Sequence, residues 1–139
     1  MGGVTVSLMR KTRLEYSYLA SSTSTTLIVR PAIATGRFYS VYMWVRVHEK
    51  NLATSGQTIV FGLYNTFPTK EDPREFSESS AFASITMTSG STAPALLSSS
   101  VATNPGPYLK FALTISQPAG GGGTILYTQV SAGVTLREQ

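Results

Sequence analysis

The chain has 139 residues, a length that suits one domain with a substantial hydrophobic core. It contains no cysteine, which excludes disulfides and thiolate metal sites. Its one histidine, His48, disfavours a histidine zinc site, and the absence of a GxSxG motif disfavours a Ser-His-Asp triad. Charged residues make up 13% of the chain, against about 25% in a typical domain, and the net charge is +4. Ser and Thr hydroxyls therefore solvate much of the surface, a composition common in all-β adhesive and virion proteins.

Apolar residues recur at period two along most of the chain, which is the pattern of β-strands. Clusters of Gly and Pro separate the alternating runs. In chain order, the predicted strands are 4–9, 14–19, 25–30, 38–48, 57–65, 82–88, 108–116 and 124–136. This spacing predicts an all-β fold, an antiparallel β-sandwich of jelly-roll type with seven to nine strands and an extended N-terminal arm. Within the last strand, Ala132-Gly133 is predicted to form a bulge or kink.

The first 23 residues are predicted to form an N-terminal arm or edge strands, and residues 24–139 the β-sandwich, within a single domain overall. Arg10, Lys11 and Arg13 make the N-terminal segment basic. We expect this segment to meet an acidic surface on a partner protein. The structural alternative is that Lys and Arg at a strand edge simply discourage edge-to-edge aggregation.

The predicted strand at 38–48 differs from the others because large side chains occupy both of its faces. One face carries Tyr39, Val41, Met43, Val45 and Val47 at period two. On the other face, Tyr42 and Trp44 stand where a solvent-facing strand would carry polar residues, beside Arg46. An exposed apolar patch of that size marks an interaction site. Either a neighbouring copy of the chain covers it, or the N-terminal arm does so with Leu14, Tyr16 and Tyr18.

The same alternation predicts the core. The strand at 108–116 is the clearest case, since its apolar residues alternate with Lys110, Ala112 and Thr114. The predicted core residues are Val41, Met43, Val45, Val47, Ile59, Phe61, Leu63, Leu109, Phe111, Leu113 and Ile115.

A long polar connection at 65–82 interrupts the strand pattern. Connections of this length are commonly functional or partner-facing, so Phe67 and Phe76 join the predicted partner interface. The connection contains a carboxylate cluster, formed by Glu71, Asp72, Glu75 and Glu78. Lys70 and Arg74 lie among these acids, which favours a solvated, self-neutralising loop over a calcium site or a catalytic acid–base pair.

Charge and hydropathy limit the classes of partner. Residues 1–50 hold seven basic and two acidic residues, whereas 70–78 hold two basic and four acidic residues. The basic residues form no dense run, which disfavours nucleic acid as a partner. No apolar run approaches the ~20 residues of a membrane helix, and the first residues lack the apolar core of a signal peptide. We therefore expect synthesis and retention in the cytoplasm, or release by lysis.

Two stretches, SVYMWVRVHEKNLATSG at 40–56 and GPYLKFALTIS at 106–116, resemble small β-sandwich proteins from tailed-phage and prophage structural genes. The second stretch matches a late-strand motif of that family, with Lys110 where the family usually has arginine. The resemblance implies a non-enzymatic component of a virion or virus-like particle, of the capsid decoration or head or tail accessory type. We expect a homo-oligomer, with a trimer favoured, that binds a major capsid protein or another particle protein.

The predicted interface combines the aromatic face of the 38–48 strand, the basic arm and the long connection. Its residues are Tyr42, Trp44, Arg46, Tyr16, Tyr18, Arg10, Lys11, Arg13, Phe67 and Phe76. The main alternative is a carbohydrate-binding β-sandwich module, in which Trp44 and exposed tyrosines stack on sugar rings. A hydrolase is a weaker alternative, since only the carboxylate cluster at 71–78 supplies a candidate acid–base pair. The sequence suggests no cofactor and no metal.

Overall fold

Nine β-strands account for most of the residues that the computed structural model describes. These residues are 3–17, 23–51, 58–66, 81–88, 94–99, 101–117 and 125–138, and for 16–17, 23–32, 51, 117 and 125–126 the backbone alone is described. The strands are β1 (Gly3–Ser17), β2 (Thr23–Ala34), β3 (Ser40–Asn51), β4 (Thr58–Asn65), β5 (Ala83–Thr88), β6 (Ala95–Ser98), β7 (Ala102–Thr103), β8 (Tyr108–Gln117) and β9 (Ile125–Arg137). Every strand pair is antiparallel, which confirms the predicted all-β class.

The strands form two sheets whose orders define a jelly roll. The first sheet has the order β1-β9-β3-β6, with β7 also paired to β3, and the second has the order β2-β8-β4-β5. The first four strands alternate between the two sheets, and the last strand returns to lie between β1 and β3. Such interlocked Greek keys make the double-sheet jelly roll. The predicted antiparallel sandwich of jelly-roll type is therefore confirmed.

The hydrophobic core lies between the two sheets. Alternate residues of the central strands are buried because successive side chains of a strand point to opposite faces. The rings of Phe61 and Phe111 stack near the centre, with centroids 6.4 Å apart and an interplanar angle of 15°. Ten of the eleven predicted core residues are at most 1% exposed, namely Val41, Met43, Val45, Val47, Ile59, Phe61, Leu63, Leu109, Phe111 and Leu113. The eleventh, Ile115, is partly buried against the core.

The beginning of β3 departs from the prediction. The strand starts at Ser40, because the backbone N–H of Phe38 donates to the carbonyl of Thr35 (3.0 Å) and closes a turn before it. The turn reverses the alternation. Phe38 is therefore buried, whereas Tyr39 is 40% exposed, and the prediction that Tyr39 shares the core face of the strand is wrong.

The N-terminal segment forms one long edge strand. β1 pairs with β9 from Gly3 opposite Arg137 to Ser17 opposite Ile125. Its register shifts after Ser7, so that Leu8 and its neighbour are both buried in the core. Residues 3–17 thus take the edge-strand form, one of the two that the sequence allowed for residues 1–23. The division of the chain at residue 23 stays a prediction.

The irregularity predicted within β9 lies on the opposite strand. Ala132 and Gly133 pair regularly with Val45 and Trp44 of β3. The β1–β9 register shifts after Ser7 and again after Met9, and each shift leaves an extra residue in β1. The first shift lies opposite Ala132 and Gly133, so this bulge is at the predicted position but in the partner strand.

The two shortest strands were not predicted. β6 and β7 pair with the edge of β3 that β9 leaves open. Between them, the backbone N–H of Ser99 donates to the carbonyl of Met43 (2.9 Å), and the N–H of Met43 donates to Oγ of Ser99 (3.1 Å). The 95–103 segment thus hydrogen-bonds along β3, which keeps this edge from pairing with another chain.

Candidate interaction surface

The outer face of the first sheet carries the side chains that the sequence singled out in β3. Because alternate residues from Val41 to Val47 are fully buried, the residues between them point away from the core. Tyr42 is 37% exposed, Arg46 is exposed and Trp44 is half-buried. The period-two pattern therefore placed all three side chains on the correct face.

The indole of Trp44 lies over Gly133 of the neighbouring strand β9. A Cβ atom placed on Gly133 would stand 2.1 Å from Cζ2 of Trp44, 2.6 Å from Cε2 and 2.8 Å from Cη2. Three ring atoms so close to one point indicate that the indole covers the glycine with its face. One face of the ring is therefore packed on the sheet, and the side chain as a whole is half-buried.

A groove of about 530 Å³ opens beside Trp44. Its lining residues are Lys11, Tyr42, Trp44, Arg46, His48, Leu96 and Ser131. Nε2 of His48 lies 3.1 Å from Oγ of Ser131, and this hydrogen bond holds the imidazole against β9. Leu96 is 59% exposed and supplies an apolar wall. The groove therefore combines cations with apolar surface, and no carboxylate is among these lining residues.

A second cavity, of about 390 Å³, continues along the same sheet. It is lined by Ser40, Tyr42, Val101, Thr135 and Arg137. Tyr42 lines both cavities, so they meet at its ring. We call the residues lining these two cavities the aromatic-basic surface. Its charged residues are Lys11, Arg46 and Arg137, and its apolar and aromatic residues are Tyr42, Trp44, Leu96 and Val101.

The three basic residues of the predicted arm have different surroundings. Lys11 lines the groove beside Trp44. Nε of Arg13 lies 2.6 Å from Oε1 of Glu15, and its guanidinium stacks 4.0 Å from the ring centroid of Tyr127. Arg10 is exposed on β1. Of the three, Lys11 is the residue that the structure brings to the aromatic-basic surface.

β1 lies beside β9 and does not cross β3. Leu14, which the sequence offered as part of a cover for the aromatic face, packs against the core instead. Leu14 therefore does not cover Tyr42 and Trp44, and a cover supplied by Tyr16 and Tyr18 or by a second molecule stays a prediction.

Several predicted interface residues lie outside what the structure describes. The backbone of Tyr16 pairs with Leu126 in β9, and its side chain is not among those described. Tyr18, Phe67 and Phe76 lie outside the described residues, as does the carboxylate cluster at 71–78. Their assignment to the interface stays a prediction.

Sequence reasoning missed several residues of the surface. Leu96 and Val101 belong to the segment of β6 and β7, which shows no clear alternation in the sequence. Arg137 was not among the predicted interface residues. Gly133 could have been recognised as the small residue on which Trp44 packs. That pairing requires the register between β3 and β9, which the sequence alone does not give.

Metal-ligating side chains do not cluster in the described part of the chain. Among the described residues, no three His, Asp or Glu side chains come together in a way that could hold a metal ion. In the same part of the chain, no helix is long and apolar enough to cross a membrane. What the arrangement offers chemically is a contact surface, with an aromatic face, apolar walls and three cations.

Solved structures of infectious bursal disease virus particles share this fold. No protein-family model matches the sequence, and no curated protein matches it. The chain superposes on a VP2 subviral particle of that virus with a TM-score of 0.59 at 11% identity, covering 99% of this chain and 33% of the solved one. For the Gx strain the TM-score is 0.54 at 14% identity, covering 97% and 31%. For T=1 particles derived from the virus it is 0.56 at 11% identity, covering 99% and 32%.

The chain thus spans about a third of the length of the solved chains that it matches. At identities of 11–14%, the likeness shows a shared jelly-roll fold that runs through nearly the whole of this chain. These neighbours come from infectious bursal disease virus, so the resemblance to tailed-phage proteins stays a prediction.

Proposed function

We propose that this chain is a non-enzymatic structural component of a virion or virus-like particle and that it assembles with copies of itself. The observation that carries the proposal is a jelly roll whose first sheet exposes the aromatic-basic surface. The fold shared with infectious bursal disease virus particles supports it. A building block of a particle needs a stable core and an exposed contact surface, and it needs no catalytic groups.

In its finer form, the proposal is a capsid decoration or accessory protein of the tailed-phage type. It would bind a major capsid or other particle protein, form a homo-oligomer with a trimer favoured, and reside in the virion after synthesis in the host cytoplasm. Leu96 and Val101, at 59% and 60% exposure, are the most exposed large apolar side chains of the described residues and support a protein contact here. Contacts of modest individual affinity suffice because a particle repeats them by symmetry.

The test is the solution mass by light scattering, alone and after adding particles from the same source. A trimer or larger ring, or retention on the particles, is the expected result. Val101→Glu should weaken self-association or retention by at least about tenfold, because it places a charge at the apolar part of the contact. Thr86→Glu is the matched control, since Thr86 is exposed on β5 of the other sheet. A monomer of about 15 kDa that ignores the particles would refute the proposal.

A carbohydrate-binding module is the second candidate, favoured by the indole of Trp44 lying face down on the sheet. A sugar ring would stack on the other face of this indole. Neutral oligosaccharides should then quench the fluorescence of Trp44 with no dependence on salt. An unchanged spectrum across a glycan panel would remove this candidate.

A further inference from the structure

We propose that the aromatic-basic surface binds a single-stranded nucleic acid, with Trp44 as a stacking platform for a base and Lys11, Arg46 and Arg137 at the phosphates. This inference goes beyond the proposed structural function. The protein contacts of that function fall on the exposed apolar residues Leu96 and Val101, whereas the nucleic acid takes Trp44 and the three cations. It rests on charge, ring geometry and the length of the surface.

The charge argument comes from strand pairing. Lys11 lies in β1, Arg46 in β3 and Arg137 in β9, so residues far apart in the sequence meet on one sheet. The absence of a dense basic run disfavoured nucleic acid in the sequence, but the sheet assembles the cations that no run supplies. No carboxylate is among the residues that line either cavity. A polyanion is therefore the electrostatic complement of this surface.

The aromatic geometry selects the kind of polyanion. Trp44 packs one face of its indole on Gly133, and its side chain lines the groove beside the cations. A flat ring on a sheet, flanked by cations, is the arrangement on which unpaired bases stack. An acidic peptide would use the cations and leave the indole unused, whereas a neutral glycan would use the indole and leave the cations unused. A single strand uses both, because each nucleotide carries a base and a phosphate.

The length of the surface fits a short oligonucleotide. Arg137 pairs with Ser40, and Ser40 precedes Arg46 by six residues along β3. At about 3.3 Å per residue, the two arginines lie about 20 Å apart along the strand. That distance corresponds to about six stacked nucleotides at 3.4 Å each, within the site sizes of about 4–16 nucleotides known for single-strand binders.

The chain reports on this site by itself, because Trp44 is its single tryptophan. The experiment titrates the protein with an oligo-dT of about 12 nucleotides and follows the fluorescence of Trp44. Anisotropy of the labelled oligonucleotide gives Kd at several salt concentrations. We expect strong quenching, and a slope of log K against log salt of about −2, since three neutralised phosphates contribute about −0.7 each.

Variants separate the two parts of the surface. Trp44→Leu should raise Kd roughly 5- to 150-fold, the effect of losing one stacked base. Arg46→Gln should raise Kd and bring the salt slope closer to zero by about 0.7. Arg37→Gln is the matched control, because Arg37 is a cation with a 69% exposed side chain that lines neither cavity. It should change Kd by less than about twofold, and thermal melting of each variant checks that it is folded.

Three outcomes would overturn the proposal. One is that Arg37→Gln and Arg46→Gln weaken oligonucleotide binding equally, which would mean that the net positive charge of the protein attracts the oligonucleotide without a specific site. Another is binding of polyaspartate as tight as that of the oligonucleotide, which would indicate an acidic protein partner. The third is quenching by neutral oligosaccharides but not by oligo-dT. Light scattering without nucleic acid tests assembly separately. If the chain assembles but does not bind the oligonucleotide, this inference alone is refuted. If the chain stays monomeric but binds the oligonucleotide, the structural function alone is refuted.

Discussion

Replacing Gly133 by alanine tests the contact that positions Trp44. The new Cβ atom would lie 2.1 Å from Cζ2 of the indole, closer than any real contact allows, so the ring must leave the sheet. Gly133 has no left-handed backbone conformation, and alanine therefore fits the main chain. The perturbation thus acts on the indole rather than on the strand.

The magnitude follows from the area that the indole uncovers. Trp44 is half-buried, so about 100 Å² of its side chain would return to water, which costs about 2.5 kcal/mol at about 25 cal/mol per Å². Alanine offsets about 0.4–1 kcal/mol of this by restricting the unfolded chain. A net loss of about 2 kcal/mol should lower the melting temperature by about 6 °C in a domain of this size.

The assay is the emission spectrum of the folded variant together with its thermal melt. We expect the emission of Trp44 to shift to the red, because its packed face becomes exposed. Gly62→Ala is the matched control: a Cβ on Gly62 would lie 2.7 Å from Cε2 of Tyr64 on the other sheet. It should alter stability and leave the tryptophan emission unchanged. An unshifted spectrum for Gly133→Ala would refute the view that the indole lies on this glycine.

Two further predictions concern the core. Phe61→Ala should lower the free energy of unfolding by about 3–5 kcal/mol, since this ring is fully buried and stacks on Phe111. Urea denaturation measures this loss of stability. A loss below about 1 kcal/mol would contradict the packing between the sheets. Thr128→Val should cost about 0.5–1.5 kcal/mol in the same assay, because Oγ1 of the buried Thr128 donates to the carbonyl of Glu49 (2.9 Å) and valine cannot make this hydrogen bond. Wild-type stability would contradict this role.

The sequence predicts the long central strands because burial on one face enforces period two. β3 and β8 each alternate over at least eight residues, so their inward residues, such as Met43 and Phe111, are recognisable without a structure. The start of β3 was not predictable in this way, because a turn at Phe38 reverses the alternation. Local hydrogen bonding there outweighs the pattern of the strand that follows.

Short edge strands escaped prediction because their conformation depends on their partner. Leu96 of β6 is 59% exposed whereas its neighbour Leu97 packs against the core, so consecutive leucines hide the alternation that would mark a strand. Its pairing with Arg46 and its neighbours in β3 fixes its conformation. The same dependence hides the interaction surface: period two identifies Tyr42 and Trp44, but only the strand order brings Lys11 next to them.

The outer faces of the two sheets differ in chemistry, although the same alternation builds both. Most outward positions of β4 and β5 on the second sheet carry small hydroxyl or aliphatic residues, such as Thr58, Val60 and Thr86. An aromatic ring and a cation occur there at one pair of positions, Tyr64 opposite Lys110. The first sheet places Tyr42 and Arg46 at equivalent positions. Because both sheets close one core with their inner faces, folding requires neither an aromatic ring nor a cation outside. We therefore expect Arg46→Gln to change binding while the free energy of unfolding stays within about 0.5 kcal/mol, since surface substitutions away from packed features have effects of that size.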